Sequence, residues 1–169
     1  MRTPGEDFDA FVLGSSPGLL RAAVVLTGDT TAAEDLLQDV LERLYLRWGR
    51  VEDPLPYVRR ALVNGSRSRW RARSRRPEVT LAARHDAPVA DRTEDLADHD
   101  RVVRVLQQLP PRQRAVVVLR YLEDLSEADT AQLLGCSVGT VKSQASRALA
   151  RLRTHIDEAI LDSPNHRRT

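Results

Sequence analysis

Residues 125–153 read as two helices joined by a tight turn, and this stretch constrains the fold of the chain more than any other. Ser126 followed three residues later by Asp129 is an N-cap signature, and Gly135 supplies the left-handed backbone that ends a helix. Ser137 then caps a second, longer helix. Apolar residues recur at intervals of three and four on both helices: Leu125, Ala128, Ala131 and Leu134 on the first, and Val138, Val141, Ala145, Ala148, Leu149, Leu152 and Ile156 on the second.

The polar face of the second helix carries only one sign of charge. No acidic residue lies between positions 134 and 157, and the face presents hydroxyls and cations from Thr140, Lys142, Ser143, Ser146, Arg147 and Arg151. A short helix, a glycine turn and a longer basic helix are typical of the helix-turn-helix, whose second helix enters the major groove of DNA. An ordinary helical hairpin with solvated cations is the alternative, and the one-signed face argues against it.

The composition narrows the class of protein. With 169 residues, 41% of them hydrophobic and 4% aromatic, the chain fits two small helical domains better than one large core. A single cysteine excludes an internal disulfide, and the four histidines lack ligand spacing, so we expect no metal site, no cofactor and no catalytic residue. Apolar runs such as residues 22–26 are too short for a signal core or a membrane span. We therefore expect a cytoplasmic protein without membrane insertion.

Helical patterns dominate the N-terminal half. Residues 6–13 and 17–26 predict two helical pieces separated by the turn-rich residues 14–18. Thr31 and Glu34 then predict a capping box at the start of the next helix. That helix has a broad apolar stripe, which consists of Leu36, Leu37, Val40, Leu41, Leu44 and Trp48.

A further helix is predicted to begin at Pro54 and to continue into residues 59–76, which contain eight arginines and no acidic residue. So dense a run of like charges repels itself unless an anionic partner neutralises it, and nucleic acid is such a partner. Asn64 offers an amide for a base edge, and Trp70 is either a ring for an unpaired base or a core anchor. Gly65 is unfavourable inside a helix and predicts a kink or a close approach of the backbone to a partner.

The helical periodicity fails between the two halves of the chain. Six carboxylates stand against one arginine between positions 86 and 100, so residues 77–94 are predicted to form a flexible acidic linker. This linker is a segment that lies in a basic channel of a partner, a shield for the arginine run in the free protein, or a plain solubilising tether. Two helices follow before the helix-turn-helix, with predicted inward residues Val102, Val103, Leu106 and Leu109 on the first and Val116, Val117, Leu119 and Leu122 on the second, which covers residues 111–121.

These segments resemble a known family. Residues 109–153, LPPRQRAVVVLRYLEDLSEADTAQLLGCSVGTVKSQASRALARLR, closely resemble region four of bacterial RNA polymerase sigma factors of the extracytoplasmic-function (ECF) group. Residues 32–48, AAEDLLQDVLERLYLRW, and 54–76, PLPYVRRALVNGSRSRWRARSRR, resemble region two of the same proteins. The sequence VGTVKSQ at 138–144 is similar to that of the actinobacterial, sigma-E type of this group.

The resemblance implies an all-α fold of two small helical domains: region two over residues 1–76, the linker at 77–94, region four over 95–160, and a disordered tail at 161–169. It implies a sigma factor that directs promoter-specific initiation, with core RNA polymerase (clamp helices of the largest subunit, and the flap) and promoter DNA as partners. An anti-sigma factor is a further partner, and no small-molecule substrate is expected.

The implied residues fall into three sets. Core polymerase binding is expected at Asp35, Gln38, Asp39 and Arg43. Reading of the minus-ten element is expected at Arg60, Asn64, Arg67, Trp70 and Arg71. Contacts with the minus-thirty-five element are expected at Ser137, Thr140, Lys142, Ser143, Gln144 and Arg147.

Two positions depart from the family pattern. Gln144 stands where many relatives have arginine, which favours adenine over a guanine or phosphate contact. Gly65 weakens the helix that presents the minus-ten reader. The alternatives to a sigma factor are a stand-alone helix-turn-helix regulator, which normally dimerises on a palindrome, and an arginine-rich RNA-binding protein. An enzyme is the least favoured class.

Overall fold

The computed structural model describes the backbone of residues 4–75 and 94–161, with side chains described for 5–75 and 100–155. Every regular element in these residues is helical, which confirms the predicted all-α class. The chain divides into two compact units, Met1–Ala97 and Asp98–Thr169. The predicted linker and tail lie outside the described residues, except that Glu94 and Leu161 are the terminal residues of two helices.

Within residues 4–75, which the structure describes, the first unit has three helices and one short turn. Helix α1 is Pro4–Thr27, α2 is Thr30–Tyr45, and α3 is Pro54–Ser74; a single 3-10 turn, Trp48–Arg50, lies between α2 and α3. Their apolar faces meet in one core, whose buried side chains are Leu19, Ala22, Ala23, Val25, Leu26, Ala33, Leu36, Leu37, Val40, Leu44, Val58, Leu62 and Val63.

Helix α1 is continuous through the segment that we expected to be a turn, so that prediction is wrong. Pro17 lies inside the helix, where it removes one backbone donor. The helix persists because both of its halves pack against the unit. Leu19 and Ala23 are buried after the proline, and before it the Phe8 ring contacts Tyr45 and Trp48 edge-to-face at centroid distances of 5.0 and 5.1 Å.

The length of α1 also bears on the predicted absence of a membrane span. Among the described residues, Gly5–Thr27 is the one helix that is long and apolar enough to cross a membrane by length and composition alone. The expectation that every apolar segment is too short is therefore wrong for this helix. The core helix of a globular unit has the same length and composition, and Leu19 and Ala23 occupy the core here.

The start of α2 differs from the predicted capping box. The Oδ1 atom of Asp29 accepts a hydrogen bond from the Ala32 backbone N–H at 2.7 Å, so Asp29 is the N-cap and the box of Thr31 and Glu34 is wrong. Gly28, at φ 80°, ends α1 immediately before this cap. The predicted stripe is confirmed within α2, where Leu36, Leu37, Val40 and Leu44 are buried and Leu41 is half-buried. Trp48 is half-buried but lies in the 3-10 turn, because α2 ends at Tyr45.

Gly65 does not kink α3, which is continuous from Pro54 to Ser74. A Cβ atom at this position would lie 2.5 Å from Cδ1 of Leu36, far closer than two carbons can approach. The close approach that the glycine permits is therefore with α2 of the same unit, and not with a partner. Because Leu36 is only 3% exposed, this contact sets how closely α2 and α3 pack.

The second unit contains the remaining helices. Helix α4 is Glu94–Gln107, α5 is Pro111–Val117, α6 is Glu127–Leu134 and α7 is Val138–Leu161, and a π-helical turn, Val118–Leu122, extends α5. A cluster of Val116, Ala131 and Val141 joins α5, α6 and α7, with Leu134, Cys136 and Ala145 packed around it. The helix-turn-helix pair is thus held by a third helix.

Two predicted inward positions point outward. Val102 is 54% exposed, because the buried residues of α4 recur three apart at Val103 and Leu106 and leave Val102 beside them. Leu122 is 47% exposed, because the backbone N–H of Glu123 bonds to the carbonyl of Val118, five residues back, and the wider turn changes the phase of the face. Val118 is buried instead.

The helix-turn-helix stripe also differs in phase from the prediction. On α6 Ala128 is exposed, and Thr130, Ala131 and Leu133 are the buried residues. On α7 Val141 and Ala148 are fully buried, while Val138 and Leu149 are 39% and 42% exposed. The core of this unit therefore uses a narrower stripe of α7 than the sequence suggested, because only residues that face α5 and α6 are covered. The side chain of Ile156 lies outside the described residues.

Arg114 is a buried cation that stabilises the second unit. Its Nε donates to the carbonyl of Leu106 at 3.1 Å, and its Nη2 donates to those of Gln107 and Leu109 at 3.0 Å each. The carbonyls of Leu106 and Gln107 lie at the end of α4, where a helix carries partial negative charge, and that of Leu109 lies two residues beyond it. Burial lowers the pKa of Arg114 to about 10, which leaves the guanidinium charged at neutral pH.

Candidate nucleic-acid and protein interfaces

The turn between α6 and α7 has the cap geometry that the sequence predicted. The Ser126 hydroxyl accepts from the Asp129 N–H at 3.0 Å, and Gly135 adopts φ 64°. The N–H of Cys136 then bonds to the carbonyl of Ala131 at 3.0 Å, which satisfies the end of α6. Ser137 caps α7 by accepting from the Thr140 N–H at 3.1 Å. A short turn held at both ends fixes the angle between the two helices.

Four of the six residues expected at the minus-thirty-five element share one face of α7. Thr140, Ser143, Gln144 and Arg147 are spaced by three, one and three residues, which keeps them on adjacent positions of a helix. Thr140, Ser143 and Arg147 are exposed and Gln144 is half-buried. The hydroxyl of Ser143 donates to the carbonyl of Thr140 at 3.0 Å and keeps its lone pairs for another donor. Ser137 lies at the cap beside this face.

Lys142 is separated from that face. Two residues after Thr140, it lies about 160° away around the helix axis, on the side of α7 that faces α6. There its Nζ is 3.6 Å from Oε2 of Glu127, with the two side chains 63% and 39% exposed. The six predicted residues therefore do not form one surface, since Lys142 lies on the flank of α7 beside Glu127 of α6.

The residues expected at the minus-ten element lie mainly on one face of α3. Arg60, Asn64, Arg67 and Arg71 recur at intervals of four, three and four, opposite the buried residues of the helix. Arg60, Asn64 and Arg71 are exposed and Arg67 is half-buried. Trp70 lies beside this face and is 49% exposed, so its ring is accessible and is not the buried core anchor of the alternative interpretation.

Arg69 has a different environment from the rest of the arginine run. Its Nη1 donates to the carbonyl of Ala32 at 2.9 Å, and its Nη2 lies 3.0 Å from Oδ2 of Asp39. Both acceptors belong to α2. The run is therefore not eight uncompensated cations, and the pairing of Arg69 was not predictable locally because its partner Asp39 is 30 residues away in sequence.

The residues expected to bind core polymerase form the exposed face of α2. Asp35, Gln38, Asp39 and Arg43 are all exposed and are spaced by three, one and four residues. Gln38 donates through Nε2 to Oε1 of Glu42 at 3.1 Å. Glu42, which the sequence analysis did not single out, belongs to the same face.

An apolar groove of about 660 Å³ borders this face between α1 and α2. Gln38 and Glu42 are on its rim, and its lining consists of Phe8, Val12, Leu20, Glu34, Leu37, Leu41, Tyr45 and Leu46. Tyr45 and Leu46 are 56% and 80% exposed. The signal in the sequence was the width of the α2 stripe, because Leu41 lies beyond what α1 and α3 can cover. Leu46, the residue after α2, was not part of that stripe.

Among the side chains that the structure describes, in residues 5–75 and 100–155, no group of three histidine, cysteine or acidic residues is placed to hold a metal ion. What the described surfaces offer is a cationic face, a helix-turn-helix and a polar face beside an apolar groove. These define a class of helical DNA-binding proteins that also carry a surface suited to a protein partner.

Comparison with known proteins identifies the family. Residues 12–76 match the model of sigma-70 region 2, and residues 99–152 match that of sigma-70 region 4. The RNA polymerase sigma-E factor of Streptomyces coelicolor is 42% identical over 160 residues, which are 93% of this chain and 90% of that protein. The ECF sigma factor SigM of Mycobacterium tuberculosis is 36% identical over 79% of this chain and 69% of its own length.

Solved structures agree with the sequence relatives. The sigma factor RpoE of Bartonella quintana, crystallised with the anti-sigma factor NepR, has a TM-score of 0.72 and 29% identity, and the match covers 89% of this chain and 97% of RpoE. CnrH, in complex with the cytosolic domain of CnrY, shares the fold at a TM-score of 0.67. The chain belongs to the sigma-70 family of RNA polymerase sigma factors, in the ECF group and of the actinobacterial sigma-E type. It is a sigma factor that directs promoter-specific transcription initiation and binds core RNA polymerase and promoter DNA.

Proposed function

We propose that the first unit binds core polymerase through the exposed face of α2 and presents α3 to the minus-ten element, while the second unit reads the minus-thirty-five element with α7. The observation that carries this division is the placement of two different polar faces on one unit. Asp35, Gln38 and Asp39 face outward from α2, and Arg60, Asn64 and Arg71 face outward from α3. The acidic face of α2 suits a protein partner, and the cationic face of α3 suits a nucleic acid.

The polymerase-binding surface includes the groove beside α2. The groove is continuous with Gln38 and Glu42, and its exposed apolar residues Tyr45 and Leu46 lie where a helical partner can bury them. The clamp helices of the largest polymerase subunit are the proposed occupant. The second unit, in the same scheme, contacts the polymerase flap.

Promoter recognition requires no catalytic residue on this chain. Arginine contacts with phosphates supply salt-dependent affinity, base-edge contacts from α7 supply sequence choice, and Asn64 and Trp70 hold unstacked bases. The protein acts in the cytoplasm, as a non-enzymatic subunit of the polymerase complex. The complex of the related RpoE with NepR supports an anti-sigma protein as a further partner of this chain.

Polymerase binding is tested with Asp35→Arg, which reverses one charge on the α2 face. The matched control is Glu52→Arg, the same charge change at an exposed position in the loop before α3. Core polymerase binding, measured by titration of fluorescently labelled protein, should fall at least tenfold for Asp35→Arg and remain unchanged for Glu52→Arg, with both proteins melting normally. Equal binding by the two variants would remove α2 from the polymerase contact. Asp39 is unsuitable for this test because it also pairs with Arg69.

A further inference from the structure

Arg69 connects the two functional helices of the first unit. The guanidinium forms one bond to a backbone carbonyl of α2, at Ala32, and one to the carboxylate of Asp39 two turns later. A planar fork that reaches two acceptors at once is a geometry that arginine has and lysine lacks. The two bonds therefore fix the direction of the Arg69 side chain and hold its positive charge beside Asp39.

The packing of α2 against α3 explains why Arg69 reaches these acceptors. Gly65 lies one turn earlier on the same face of α3 and permits the close contact with Leu36. Ala32 and Asp39 flank Leu36 on α2, four residues before it and three after it. The glycine thus brings Arg69 within reach of both acceptors, and the two contacts together form one strip along the helix pair.

The strip ends where α3 loses its buried residues. Ser66 is 8% exposed, and from Arg67 to Arg75 the described side chains are half-buried or exposed. This last part of the helix carries Arg67, Trp70 and Arg71, and the like charges of its arginines repel one another. Arg69 is the residue there that bonds α3 to α2.

We propose that Arg69 is a positioning residue and not a DNA-contacting arginine: by clasping α3 to α2 it fixes the cationic face of α3 relative to the polymerase-binding face. This inference rests on the proposed function, which assigns polymerase to α2 and the minus-ten element to α3. When polymerase binds α2, the Arg69 contact therefore also sets the orientation of the α3 residues that bind the melted strand. The remaining arginines of the exposed face neutralise phosphates.

The first test compares Arg69→Lys and Arg69→Ala with Arg71→Ala as the matched variant, two residues away on the exposed face. Each full-length protein is bound to core polymerase, and promoter affinity is measured across a salt series. Arg71→Ala should lower the salt slope by about 0.7 to 0.9. Both Arg69 variants should retain the wild-type slope, and a slope lowered by Arg69→Ala as much as by Arg71→Ala would overturn the proposal.

Promoter opening separates a positioning role from a merely structural one. At saturating polymerase and well below the melting temperature of the protein, the opening equilibrium, followed by 2-aminopurine fluorescence in the minus-ten element, should fall about two- to fivefold for Arg69→Ala. Arg69→Lys should fall similarly, because it keeps the charge and loses the fork. Wild-type opening by Arg69→Lys would contradict the clasp and favour a simple cation–phosphate contact.

A charge swap distinguishes failure of this inference from failure of the proposed function. Asp39→Arg and Arg69→Asp should each lower the melting temperature, and the double variant should lose less than the two changes added together, because the pair can form again. Additive losses would overturn the clasp and leave the polymerase assignment standing. If the double variant regains stability and also binds polymerase as the wild type does, the clasp stands and the contact of Asp39 with polymerase falls.

Discussion

We predict that Glu127 opposes DNA binding by α7, because it pairs with Lys142, one of the cations expected at the minus-thirty-five element. Its Oε2 lies 3.6 Å from Nζ of Lys142, and both side chains are partly exposed. In water, Coulomb attraction at that distance is at most about 1.2 kcal/mol, and exposed pairs contribute about 0.2 to 1 kcal/mol. We predict that Glu127→Gln, which frees Lys142, tightens promoter binding about 1.4- to 5-fold.

The assay is fluorescence anisotropy of a labelled promoter duplex with the full chain bound to core polymerase, at fixed low salt. In a Lys142→Ala background, Glu127→Gln should gain little beyond the removal of long-range repulsion, since the lysine for which Glu127 and a phosphate compete is absent. The same change should slightly lower the melting temperature, because an acid in the first turn of α6 favours that helix. Weaker promoter binding by Glu127→Gln would refute the reasoning and indicate that the carboxylate itself contacts DNA.

Three further predictions concern single side chains. Gln144→Ala should change the preference at one base pair of the minus-thirty-five element by about 1 to 3 kcal/mol, and an equal loss on all single-base variants of the duplex would show that Gln144 only orients α7. Arg114→Ala should lower the free energy of unfolding by about 2 to 5 kcal/mol in urea titrations, because three carbonyls at or just beyond the end of α4 lose their donor, and a loss below 1 kcal/mol would contradict this account. Gly65→Ala should destabilise the protein by about 1 to 2 kcal/mol, since overpacking against Leu36 exceeds the gain of about 1 kcal/mol in helix propensity; a raised melting temperature would show that Leu36 yields easily.

Most features that depend on chemistry within a few residues were predictable from the sequence, although the capping box expected at Thr31 and Glu34 was wrong because Asp29 caps α2 instead. Ser126, Gly135 and Ser137 were assigned as caps from type and spacing, and each has the expected geometry. The prediction of a helix break around Pro17 was wrong, because the packing of Phe8 and Leu19 outweighs the local cost of a proline. A helix cap depends on residues that are close in sequence. Whether a helix breaks also depends on how its two halves pack against the core.

Features that depend on a distant helix were not predictable. The close approach at Gly65 was read as contact with a partner, because nothing near it in sequence identifies Leu36 of α2. Arg69 was grouped with the exposed arginines for the same reason. The π-helical turn exposed Leu122 by inserting one extra residue per turn, which a fixed period cannot anticipate. The buried face of a helix was therefore predicted well only where the helix is regular and where the neighbouring helix that covers it was known.

The central claim, that one chain serves two promoter elements through two modules on polymerase, is tested by transcription from templates of different spacing. Residues 77–94 are 18 residues, which span at most about 60 Å however they are arranged. At roughly 3.4 Å per base pair this limit is about 18 base pairs before the footprints of the modules are added. With reconstituted polymerase, transcript yield should peak sharply at one spacer length and fall when the spacer is changed by one to five base pairs. A yield that stays level across the series would contradict the account and favour a protein that uses its helix-turn-helix alone.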